Sequence, residues 1–185
     1  MALTPSQMVD LGSPASGFTL PDVVSGRSLS LTEIKSSKAT VIMFICNHCP
    51  YVKHINEQLV KLANDYIPKG VAFVAISSND VKSQPDDSPE NMKRLATELK
   101  YPFPYLYDET QQVAKIYEAT CTPDFFIYDG DLKLAYRGQL DDSRPGNQTP
   151  NDGKDIRAAL DAMLKDEKPS PHQRPSIGCN IKWKK

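Results

Sequence analysis

The chain has no long apolar run, no excess of charge and few histidines, and each shortage closes a class of function. No segment approaches the roughly 18 apolar residues that a bilayer-spanning helix needs. The first twenty residues hold Asp10 and several polar or helix-breaking residues, with no apolar run long enough for a signal peptide. The 22 basic residues nearly cancel the 23 acidic ones, so no field favours nucleic acid or an anionic membrane. Only His48, His54 and His172 accompany the cysteines, and no second C-x-x-C completes a four-ligand zinc set. Four cysteines in 185 residues do not make a disulfide scaffold. The expectation is a soluble, cytoplasmic protein with no metal or other cofactor, and with neither membrane nor nucleic acid as partner.

What is present is an ordered series of elements. Val41 to Ile45 is a fully apolar, β-branched run that suits a central buried strand. Pro50 follows at a position that a helix's first turn tolerates. Val52, Ile55, Leu59, Leu62 and Tyr66 then recur at helical spacing until Pro68 and Gly70. Val71 to Ile76 reads as a second buried strand. Ser88-Pro89 reads as an N-cap and first helical residue, with Met92, Leu95, Ala96 and Leu99 as the apolar face. "FPYLYD" leads to a helix over about 110–117, capped by Asp108. Two strands, "DFFIY" and "LKLAYRG", meet at Asp129-Gly130, and a last helix spans about 153–165. The order predicts an α/β fold: a parallel sheet with helical crossovers, extended by an antiparallel hairpin. The expected division is a domain over 1–167 and a proline-rich tail over 168–185. The tail's apolar end, "IGCNIKW", docks on the domain, because exposed Ile181 and Trp183 would be unfavourable.

The chemistry concentrates in "ICNHCPYVKH". A C-x-x-C between a strand and a helix brings two sulfurs within disulfide reach. Cys46 is read as the thiol at the helix N-terminus, where the dipole and unpaired N–H groups favour a thiolate. His48, between the cysteines, carries positive charge that lowers the Cys46 pKa, and Cys49 closes the disulfide. The competing structural reading of His48 is a solvated loop residue. Lys53, Glu57 and Lys61 are expected on the exposed helix face, and His54 solvated. Arg137 is read as a surface strand residue; Phe125, Phe126 and Tyr128 are read as core.

The run from strand through Cys46-Asn47-His48-Cys49-Pro50 to helix, with Thr122-Pro123 opening a strand-hairpin-helix ending, resembles the thioredoxin-like superfamily. The likeness is to its redoxin branch, which holds the alkyl hydroperoxide reductase/thiol-specific antioxidant proteins and thioredoxin-like reductases, and it covers about 17–165. The resemblance implies a thioredoxin-like fold with a central mixed sheet flanked by helices. It also implies a cis Thr122-Pro123 peptide facing the disulfide and presenting backbone to substrate. Cys46, Cys49, His48 and Pro123 are then the catalytic candidates, and Thr122, Asn47 and Pro50 the substrate-binding ones. Within this class the potential is expected between thioredoxin's, about −270 mV, and that of the oxidant DsbA, about −120 mV.

Departures from the family narrow the function. Peroxiredoxins carry Thr or Ser three residues before the peroxidatic cysteine and Pro seven before it; Met43 and Ala39 stand there. Where they carry an arginine near the later strand, this chain has Pro123. Where thioredoxins hold a buried acid, this chain has Thr40, which leaves the proton acceptor unassigned. The expected function is thiol–disulfide oxidoreductase, with Cys46 as nucleophile and Cys49 resolving. Its partners are protein or small-molecule disulfides, or peroxides, and a thiol reductant. The alternatives are a peroxiredoxin-like antioxidant peroxidase and a non-enzymatic binding module of the same fold. Cys121, near Pro123, and Cys179, in the tail, are candidate accessory thiols for a second disulfide; the plainer reading makes both buried small hydrophobes.

Overall fold

A computed structural model describes residues 3–185; the first two residues of the expected 1–167 domain lie outside them. The elements are, in order, β1 (Leu3–Pro5), β2 (Thr19–Pro21), β3 (Ser28–Ser30), α1 (Leu31–Ile34), β4 (Ala39–Phe44) and α2 (Pro50–Tyr66). They continue with β5 (Val71–Ser77), α3 (Pro89–Glu98), β6 (Tyr105–Tyr107), α4 (Gln112–Ile116) and β7 (Cys121–Thr122). The last four are β8 (Asp124–Asp129), β9 (Leu134–Gly138), α5 (Lys154–Leu164) and β10 (Ile177–Asn180). No helix among the described residues is long and apolar enough to cross a membrane.

The central sheet runs β6-β5-β4-β8-β9. β5 lies parallel to β4 and β6, whereas β8 and β9 are antiparallel neighbours, so the sheet is mixed. β4 is buried along its whole length because both sheet faces are covered. Val41 and Met43 point to one face, where Val52, Ile55, Leu59 and Leu62 of α2 and Ile156 and Leu160 of α5 pack. Ile42 and Phe44 point to the other, against Leu31, Val113 and Ala114. Each such side chain contributes about 1.5–3 kcal/mol on removal from water. Phe125 joins the first face and Phe126 and Tyr128 the second, as period-two alternation requires.

Ser88 caps α3 by accepting the Asn91 N–H, with Pro89 at the first helical position. The cap expected of Asp108 differs. Gln111, in a left-handed conformation, stands at the N-cap of α4, while the Asp108 carboxylate accepts the Ala114 N–H at 3.0 Å and the Ser78 hydroxyl at 2.8 Å. "FPYLYD" is more than a connector: its Tyr105–Tyr107 forms the edge strand β6.

A second, three-stranded sheet has the order β1-β10-β7 and is antiparallel throughout. It lays residues 177–180 across the strand that leads into Pro123. Gly178 is required there by proximity, since a Cβ would sit 1.9 Å from the Thr122 carbonyl oxygen. Ile181 is buried, but Trp183 stays 40% exposed, with the Lys115 ammonium 5.7 Å from its ring centre, so that part of the apolar cluster is not covered.

Candidate active site

Pro50 opens α2 at its first helical position and thereby makes Cys49 the N-cap, in an extended conformation. The Cys49 carbonyl accepts the Val52 and Lys53 N–H groups at 3.1 and 3.0 Å. It is Cys49, not Cys46, that stands at the positive end of this 17-residue helix. Cys46 lies upstream, in the loop that leaves β4. The expectation for Cys46 is corrected by Pro50 itself, which suits the first helical position and so puts the cap one residue before it.

The Thr122-Pro123 peptide is cis, and Thr122 faces both sulfurs. Its hydroxyl lies 3.1 Å from Cys46 Sγ, and its carbonyl oxygen lies 3.3 Å from Cys49 Sγ. β10 completes the arrangement: its register sets Cys179 opposite Thr122, with Cys179 Sγ 2.6 Å from Cys49 Sγ. All four cysteines are buried thiols. Cys121 is turned elsewhere, its S–H donating to the Pro123 carbonyl at 3.6 Å.

These contacts divide the thiols electrostatically. Hydrogen bonds from Cys46 first, and then from Cys179 and the Val52 N–H, outweigh burial and pull the Cys49 thiol down to about 5. A protonated Cys49 would donate instead, to the Thr122 carbonyl or to Cys179 Sγ, whereas the thiolate accepts from Cys46, Cys179 and the Val52 N–H. Burial, donation to Cys49 and the Asp87 carboxylate push Cys46 well above its ordinary value. Burial and the contact with Cys49 raise Cys179 to about 12. One negative charge therefore rests on the sulfur with the most donors.

Asp87 was not visible from the sequence. It is fully buried and gathers four donors: the Asn47 and His48 N–H groups on one oxygen, at 2.7 and 3.1 Å, and His48 Nδ1 and Asn79 Nδ2 on the other, at 2.6 and 2.8 Å. Burial opposes its ionisation, but the hydrogen bonds from His48 and Asn79 prevail and hold its pKa below the usual carboxylate value. The C-x-x-C loop is thus anchored by a carboxylate from a distant loop. His48 is neither solvated nor a free cation beside Cys46. Its side chain is only 8% exposed and tied to Asp87, and its Nε2 finds no hydrogen-bond partner among the described residues.

Cys46, His48 and Asp87 bring potential ligand atoms within 4.8 Å of one another. Both Asp87 oxygens are already taken by two donors each, so the trio is a hydrogen-bonded hub; a metal would have to displace those donors. Of the candidate substrate-binding residues, Pro50 is exposed and Thr122 buried against the sulfurs. Asn47 is buried and spent on the scaffold, donating to the Asp86 carbonyl at 2.9 Å and accepting from the Tyr105 hydroxyl at 3.2 Å. Lys53, Glu57 and Lys61 are exposed, whereas His54 is half-buried with Nε2 2.6 Å from the Ser143 hydroxyl. Arg137 is not on the surface at all. It is fully buried, paired with Asp124 at 3.1 Å, stacked on the Phe126 ring at 4.1 Å and donating to the Tyr117 and Glu118 carbonyls.

The sequence profile of the AhpC/TSA family matches residues 11–137. The chain belongs to the AhpC/TSA family. Members of this thioredoxin-like redoxin branch are oxidoreductases that act on disulfides or peroxides with thiol reductants. Two solved structures resemble this redoxin along nearly its whole length. An uncharacterized conserved protein from Geobacillus kaustophilus is 62% identical, with a TM-score of 0.98 over 100% of this chain and 97% of that one. A hypothetical protein from Sinorhizobium meliloti 1021 is 48% identical, with a TM-score of 0.95 over 98% of each chain. The thioredoxin domain of a thiol-disulfide oxidoreductase from Bacteroides vulgatus shares the fold at 19% identity, with a TM-score of 0.62 over 81% of this chain and 97% of that one. No curated protein matches the redoxin.

Proposed function

We propose that this redoxin is a thiol–disulfide oxidoreductase in which Cys49 is the attacking sulfur and Cys46 the resolving one, the reverse of the order read from sequence. The observation that carries the assignment is the position of Cys49, at the N-cap of α2 and against the carbonyl that precedes the cis proline. The thiolate, not the thiol, is the nucleophile in exchange, and at neutral pH Cys49 is the sulfur that holds the charge.

In the proposed cycle the Cys49 thiolate attacks a disulfide of a protein or small molecule, and one substrate sulfur leaves as a thiolate. Cys46 then attacks Cys49 Sγ, forming the Cys46–Cys49 disulfide and releasing the second substrate sulfur. Cys46 must lose its proton for this step. His48, oriented by Asp87 through Nδ1, places a ring nitrogen and a carboxylate in the same small cluster as Cys46 Sγ and supplies the acceptor. A thiol reductant restores the pair. The carboxylate beside Cys46 is a poor setting for a peroxidatic thiolate, because it disfavours a second negative charge on that sulfur.

The test is turnover of a disulfide-bonded protein such as insulin with a dithiol reductant. Cys49→Ser is expected to lower the rate on the order of 10³-fold or more, as removal of a nucleophile does. Cys46→Ser is expected to keep the first attack, releasing one equivalent of substrate thiol. A Cys49→Ser protein that still performs that first attack while Cys46→Ser does not would overturn the assignment. Full activity in both variants would overturn the oxidoreductase reading itself.

A further inference from the structure

The exchange cycle uses two sulfurs, yet three meet at the N-terminus of α2. Cys179 Sγ stands 2.6 Å from Cys49 Sγ, well inside ordinary sulfur–sulfur contact and approaching the roughly 2.05 Å of a covalent bond. The strand that carries it is clamped on both sides. Upstream, Ser176 donates to the Pro123 carbonyl at 2.6 Å and exchanges hydrogen bonds with Ser6. Downstream, the Ile181 N–H donates to the Thr120 carbonyl at 3.1 Å and the Lys182 N–H to Asn79 Oδ1 at 2.8 Å. Asn79 is also a donor to Asp87, so the segment that delivers Cys179 is wired to the hub that holds the C-x-x-C loop. Between the clamps, the missing Cβ of Gly178 lets β10 press onto Thr122.

We propose that Cys179 is a third redox thiol of the site, which displaces Cys46 from the oxidised pair and leaves a Cys49–Cys179 disulfide. This role presupposes Cys49 as the exchanging sulfur and goes beyond it. In the step, the Cys179 sulfur attacks Cys49 Sγ; the Cys49–Cys179 bond forms as the Cys46–Cys49 bond breaks, and the electron pair leaves with Cys46. The proton given up by Cys179 is balanced by the one Cys46 takes up, and the redox level of the protein is unchanged. A dithiol reductant then supplies the two electrons that reopen the bond. The consequence is spatial: the oxidised state is stored between α2 and the C-terminal strand, and β10 is covalently tied across the site while it lasts. Cys121, turned toward the Pro123 carbonyl, takes no part.

The experiment uses the wild-type chain. It is oxidised with diamide, remaining thiols are blocked with N-ethylmaleimide, and linked peptides are mapped by mass spectrometry without reduction. The expected main product joins Cys49 to Cys179 and carries the blocking group on Cys46. Cys179→Ala should divert the link to Cys46–Cys49, and Cys46→Ser should retain Cys49–Cys179. Cys46–Cys49 as the main product of the wild-type protein would overturn the third-thiol role and leave the oxidoreductase reading standing. Links that avoid Cys49 altogether would overturn both.

Discussion

Two buried clusters flank Pro123, and both contain cysteine, yet they have opposite electrostatics. On one side Cys49 receives hydrogen bonds from Cys46, Cys179 and the Val52 N–H and is held near 5. On the other, Cys121 faces a carbonyl and the Asp124 carboxylate, and burial and that charge push its thiol far up. Burial raises a thiol's pKa in both places. What reverses the sign at Cys49 is the number of donors aimed at it, together with the helix terminus beneath it. Burial beside the cis proline therefore does not by itself decide which thiol ionises here.

The sharpest way to test the contrast is alkylation across pH. Cys49 is a thiolate above about 5, so its rate should stay flat from pH 9 to 6, halve near pH 5 and fall about tenfold per unit below. Cys121 should remain protonated throughout. The lower intrinsic nucleophilicity of a low-pKa thiolate offsets part of the gap. A ratio on the order of 10³ in favour of Cys49 at pH 7 is still expected. Equal rates measured by peptide mapping would erase the contrast.

The second cluster should answer to stability instead. Arg137 is fully buried, pairs with Asp124, stacks on Phe126 and satisfies two backbone carbonyls. Burial lifts Asp124 to about 7 even with the guanidinium beside it, a sign of how dry the pocket is. Arg137→Met strands the carboxylate and the carbonyls, and should cost about 3–5 kcal/mol. That corresponds to a drop of roughly 10 °C in Tm for a domain of this size. The pH at which Cys49 alkylation halves should not move. A shift in that midpoint comparable to the loss of stability would mean the two clusters are one.

The same contrast explains which parts of the molecule were legible in the sequence. β4, α2, β5, α3 and α5 announce themselves because their burial is periodic: Val52, Ile55, Leu59 and Leu62 mark one helix face, and "VAFVAI" a strand covered on both sides. β1, β7 and β10 are short, lack alternation and exist only through pairing with one another across the whole chain. The C-x-x-C was legible, and Pro50 carried the signal that Cys49, one residue before it, stands at the N-cap of α2. Cys179 was visible only as a cysteine in an apolar tail; its partner is defined by a register that no local pattern encodes. Asp87 left no signal in "QPDDSP", because a carboxylate there becomes an anchor only when a loop 39 residues away folds onto it.

Asp87 also supplies the finest test of how the site's charge is divided. Its carboxylate raises the Cys46 thiol while its hydrogen bonds hold the loop, so Asp87→Asn has two effects of opposite sense. Removing the charge should lower the Cys46 pKa, because the Asp87 carboxylate is one of the groups that raise it. The pH midpoint for resolution of a Cys49 mixed disulfide would then move down with it. Weakening a hydrogen bond to a charged group costs about 1.5–3 kcal/mol and should lower the plateau of that profile through a looser loop. The profile separates the two, since looseness changes height and charge changes position. Its sign is fixed: the group gains a proton as pH falls, so a lower pKa extends the reactive range toward acid. If the midpoint stays where it is, Asp87 is an anchor alone, and the high pKa of Cys46 is the work of burial and of its contact with Cys49.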